Sequence, residues 1–301
     1  MSVLSTTLEE FLAGGGSSSP ATDRLQRLGF VLSAGGILLA TGLGALGGPL
    51  DAEDRNLLRR IGLLGGLVAA FGAIVEVIGW ANRVDIGWLD ALRGDQGTTP
   101  MMRLIAALLI VVGLAEAATD DAPRPPASVF AVAGIVVGLL SFAFDGHTTT
   151  KGPRVVHAVV DSAHVSAAGV WFGGVVGLTA LAMRLPLSGT RALILHRFAT
   201  VAIVALVGVS LAGLAMATLI LDRPGDLTTT GWGRLLVLKM SLVLACAAVG
   251  TYHHLGIARR IAAGDHESAA RGRVRVTLVV ESVLMVAVVV VTSRLGATSP
   301  T

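Results

Sequence analysis

The chain has 301 residues, 53% of them hydrophobic and 14% charged, with 23 Lys and Arg against 20 Asp and Glu and a net charge of +3 at pH 7. Together with a mean hydropathy of +0.76, this excludes an ordinary soluble domain, and a single cysteine excludes an intrachain disulfide framework. Apolar runs long enough to cross a bilayer recur along the chain and short alternating segments do not, which predicts an all-α, polytopic integral membrane protein rather than a barrel.

In chain order, residues 1–24 read as a flexible tail, with Gly14 to Gly16, Ser17 to Ser19 and Pro20 and no basic residue before Arg24, unlike a cleavable signal peptide. Residues 25–295 form one membrane domain and 296–301 a second tail. Eight transmembrane helices are predicted at 28–46, 61–80, 101–118, 127–144, 155–181, 198–221, 233–255 and 274–291, packed as a bundle. The second carries Glu76, the third opens with Met101 and Met102 and carries Glu116, and the fourth holds Gly134 and Gly138. The fifth repeats glycine at 169, 173 and 177, a spacing that lets helix backbones approach closely. The sixth follows His196 and contains Met216. The seventh holds Lys239, Met240 and Cys246 and ends in His253 and His254, and the eighth carries Glu281.

The loops after helices 1, 3, 5 and 7 contain eleven arginines, and the remaining loops and tails eight Lys or Arg. By the positive-inside rule both termini lie outside, in a cytoplasmic (inner) membrane. That orientation puts His147, His157 and His164 toward the outer surface and His196, His253, His254 and His266 toward the inner one. The basic isoelectric point follows from these loop arginines and gives no sign of nucleic acid. The lipid bilayer is the expected partner.

The fifth helix concentrates the chemistry. His157, Asp161 and His164 fall on one helical stripe, and ionisable groups at such depth are costly and usually functional. Neutral imidazoles bind copper or zinc, and a neighbouring carboxylate orients them; a structural Asp–His pair bridging two helices is the plain alternative. Met101, Met102, Met216 and Met240 could add thioether ligands, which favour Cu(I), or could be apolar filler. Lys239 either snorkels to the interface or pairs with Asp161 or Glu76. Trp171, Trp232 and Tyr252 read as interfacial belt residues. Glu76, Glu116 and Glu281 read as buried acids able to relay protons or cations. At the inner end, His196, His253 and His254 suit a metal exit site, axial haem ligation or simple placement at the lipid interface.

The ordered motifs Gly146-His147, Asp161-Ser-Ala-His164, Trp171-Phe-Gly-Gly174, Arg197-Phe198, Gly213 and Gly231-Trp-Gly-Arg-Leu-Leu-Val-Leu-Lys239 resemble the copper resistance protein D (CopD) family over roughly residues 145–255. Gly231-Trp232 departs from the Tyr-Gly common before the Arg-Leu-Leu run. The resemblance implies an eight-helix inner-membrane protein handling copper, with His147, Asp161, His164, Trp171 and Lys239 at family motif positions. It also implies an extracytoplasmic copper-binding partner, which a separate chain would supply.

The resulting expectation is copper binding and transport, for resistance or uptake, without enzymatic activity. Its metal site comprises His147, His157, His164, Asp161, Met101, Met102, Met216 and Met240. His196, His253 and His254 form the inner site, with Trp171, Lys239 and Glu76 in support. The alternatives are a haem-binding redox protein and a membrane scaffold subunit.

Overall fold

The computed structural model describes residues 20–46, 50–94, 97–116, 128–144, 154–184, 189–221, 223–252 and 267–298. Among them there is no strand. The helices are α1 (Pro20–Ala45), α2 (Ala52–Val84), α3 (Trp88–Arg93), α4 (Thr98–Glu116), α5 (Val129–Ser141, extended by a 3-10 turn Phe142–Phe144), α6 (Arg154–Arg184), α7 (Gly189–Ile220), α8 (Asp226–Thr229), α9 (Gly231–Thr251) and α10 (Glu267–Gly296). Over its described residues, each predicted span coincides with one of these helices. Seven of these helices are long and apolar enough to cross a membrane, and Val129–Phe144 is a shorter apolar helix. The chain is therefore a multi-pass helical bundle.

Polar side chains set several of the helix starts. Asp51 accepts a hydrogen bond from the Asp54 amide (2.9 Å) at α2, Ser128 from Ala131 (3.3 Å) at α5, and Thr230 from Gly233 (2.9 Å) at α9. Asp85, in the left-handed region at φ 54°, closes α2. The Asp51 cap lets α2 begin nine residues before its predicted span, because charged residues hide a helical turn from a hydropathy reading.

Helix α1 is central. It packs against α2, α6 and α10, while α4 bridges α2 and α5, α7 lies along α6, and α9 packs on α10. The α1–α6 contact pairs Leu38 with Gly169, Gly42 with Gly173 and Leu46 with Gly177, so these two helices run parallel. The glycine repeat of the fifth predicted helix is thus the seat of α1. A Cβ on Gly173 would lie 2.8 Å from the Cα of Gly42, closer than real side chains approach. Gly173→Val is accordingly expected to cost at least about 1–3 kcal/mol by overpacking, read as a lower midpoint in thermal unfolding of the purified protein; an unchanged midpoint would contradict this packing.

The most apolar stretches of α7 and α9 are only 11% and 17% buried, respectively, against 56% for α6. Helix α6 is therefore the interior element, and the functional groups gather on it.

Candidate functional site

His164 lies between α6 and α7. Its Nδ1 is 3.0 Å from the backbone carbonyl of Val209. A carbonyl can only accept, so Nδ1 carries the proton and the neutral ring presents the lone pair on Nε2. The ring reaches that carbonyl because residue 213 is glycine: a Cβ there would stand 3.2 Å from the imidazole Cε1. Lys239 of α9 is within electrostatic reach of both His164 and Asp161, so a cation, an anion and an imidazole from two helices share one region.

His157, one turn into α6, is 2% exposed, and its Nε2 has no hydrogen-bond partner among the described residues. A buried ring nitrogen left unpaired is costly in a fold that only has to be stable. His157 and His164 are seven positions apart, a rise of about 10 Å along α6. Among the described residues no group of three or more His, Cys, Asp and Glu can hold a metal ion.

Other expected residues fall as follows. Met101, Met102 and Met216 are half-buried, and Met240 is 53% exposed, on the outward face of α9. His147, His253, His254 and His266 lie outside the described residues, as does the side chain of His196. Trp171 and Trp232 are 6% and 4% exposed: they are interior residues and not belt residues, whereas Tyr252 is exposed. The Trp171 indole N–H donates to Glu281 Oε1 of α10 at 3.2 Å, which satisfies a donor that would otherwise have sought the interface. Glu116 is exposed at the end of α4 rather than buried.

Glu76, one of the two acids expected beside Lys239, is ion-paired instead with Arg103 of α4. Nη1 of Arg103 lies 2.8 Å from Oε1 and 3.1 Å from Oε2. The guanidinium is fully buried, its Cζ 4.9 Å from the ring centroid of Phe30 and 4.7 Å from that of Phe142, and Ser33 donates to Glu76 Oε2 at 3.2 Å. Aromatic faces attract the cation where water is absent. This cluster ties α1, α2, α4 and the end of α5 together. Glu76 therefore belongs to a separate polar centre from Lys239. Arg103 was missed in the sequence, although a lone charge in the first turns of an apolar helix, facing an acid in the preceding one, was the available signal.

These features define a class: a multi-pass helical membrane protein that holds ionisable side chains, including partly unpaired imidazoles, inside its apolar bundle. Residues 192–295, roughly a third of the chain, match the family model for copper resistance protein D (CopD). No curated protein and no solved structure matches the chain. The matched segment covers α7 to α10, and so extends past the region of motif resemblance at one end while omitting α6. Several of the motif residues sit where α6 meets α7: Phe198 of α7 lies against Gly174 of α6, and His164 of α6 against Gly213 of α7.

Proposed function

We propose that the protein binds copper ions on the outer side of the cytoplasmic membrane and passes them across or into it, as a carrier and not an enzyme, in copper resistance or uptake. The observation that carries this reading is the His164 imidazole, held by the Val209 carbonyl in the tautomer whose Nε2 can ligate a metal. The unpartnered Nε2 of His157 supplies a second position about two turns away along the same helix. Cargo must be released as well as captured, and several weakly ligating stations suit that better than one closed cage. Asp161 and Lys239 set the local charge beside the imidazole. His147 is proposed to complete the entrance, with Met101, Met102 and Met216 as soft ligands for Cu(I), and His196, His253 and His254 to mark the inner end. A separate extracytoplasmic copper-binding chain would deliver the ion.

The parallel course of α1 and α6 supports eight crossings. Helices α2, α4 and α5 lie between them in the chain, so α6 can run parallel to α1 only if the short helix Val129–Phe144 also crosses. Eight crossings would leave both termini on one side, and the distribution of arginines supports the outside for that side.

Titration of the purified protein with Cu(I) against a chromophoric competitor tests the proposal. Stoichiometric binding is expected, with an absorption spectrum that lacks a Soret band. An intense Soret band with stoichiometric haem would overturn the copper reading in favour of a haem protein.

A further inference from the structure

Beyond His164 the polar stripe of α6 continues to Trp171, seven residues further and about 10 Å deeper, where the indole meets Glu281. Glu281 is 5% exposed and lies one turn from Leu278 on one side and Met285 on the other, both members of the largest apolar cluster of the bundle. Its surroundings contrast with those of Glu76. Where Glu76 has a guanidinium, Glu281 has a neutral indole N–H, and no Lys, Arg or His among the described residues pairs with it. From α9 the titratable group facing it is the Cys246 thiol. Helix α6 brings no charged residue between Asp161 and Arg184, and α1, the third helix packed on α10, none after Arg27. On α10 itself, Arg275 is committed to the carbonyl of Ala182.

An ionised carboxylate placed so deep, with no cation, is strongly disfavoured, and the group becomes neutral by taking a proton. The local geometry leaves room for that exchange. Gly250 of α9 faces the carboxyl group; a Cβ there would lie 3.3 Å from Oε1 and 3.8 Å from Oε2, so its absence opens space beside both oxygens.

We propose that Glu281 is a proton-binding site inside the membrane, with Oε2 taking up and releasing the proton while Oε1 stays on the Trp171 indole. The proton arrives from a hydronium ion, forming the O–H bond at Oε2 and leaving water, and departs by the reverse step. Gly250 provides the access, and Trp171 positions the carboxyl group.

Infrared spectroscopy of the full chain in lipid vesicles, without copper, tests this independently of the cargo. At neutral pH the wild type is expected to show a carbonyl stretch of a protonated carboxylic acid that moves to lower frequency in D2O and is lost in Glu281→Gln. Trp171→Phe, which removes the hydrogen bond to Oε1, should shift the band to higher frequency, and it serves as the test if Glu281→Gln does not fold. Absence of the band in the wild type, or a band that neither variant changes, overturns the proposal.

Discussion

Arg103→Ala is expected to destabilise the bundle by about 3–5 kcal/mol, the range found when one partner of a buried ion pair is removed. The guanidinium is fully buried, bonds both carboxylate oxygens of Glu76 and lies against the rings of Phe30 and Phe142. Its loss strands a carboxylate among α1, α2 and α4 and leaves a void beside two aromatic rings. Replacing both members, as in Glu76→Met with Arg103→Met, should recover most of the loss, because apolar side chains of similar volume need no compensating charge. Thermal unfolding of the wild type and the two variants in detergent separates these effects. If Arg103→Ala and the double variant unfold together at the wild-type midpoint, the pair is not the brace described above.

His164→Ala should abolish stoichiometric copper binding while the protein still inserts and stays monodisperse. Structurally the substitution removes one hydrogen bond, to the Val209 carbonyl, worth roughly 0.5–1.5 kcal/mol; chemically it removes the imidazole whose free nitrogen is the proposed ligand. Gly213→Ala offers a milder version, since the added methyl would press on Cε1 from 3.2 Å and move the ring off its carbonyl. Copper affinity is therefore expected to fall in the order wild type, Gly213→Ala, His164→Ala. Unchanged affinity in His164→Ala would remove it from the ligand set, whatever the fate of the Gly213 variant.

The helices were largely legible because each is a long apolar run, and a bilayer leaves the backbone few other ways to satisfy its hydrogen bonds. Their ends were less so. Helix α2 reaches back to Ala52 through Glu53, Asp54 and Arg55, and α10 starts at Glu267, since capping and charged turns extend helices past the apolar window. The glycine repeat at 169, 173 and 177 announced a close approach but not its partner, which proved to be α1. The stripe of His157, Asp161 and His164 was read from helical spacing, yet spacing on one helix cannot tell a shared cage from separate positions. The structure adds the seat of His164 on the Val209 carbonyl of α7.

The sequence by itself determined the solvent, the helical class and the polar inventory: apolar length demands a membrane, and a chain cannot hide its ionisable residues from a count. The pairing of those residues depended on the tertiary structure. Glu76 found Arg103, Trp171 turned inward to Glu281, and His164 reached the Val209 carbonyl of α7. The physical reason is that the hydrophobic pattern orients each helix toward lipid or interior without specifying its neighbour. Neighbours are chosen by close fit at glycines far apart in the chain, Gly42 and Gly173 against each other's backbone and Gly174 against the Phe198 ring.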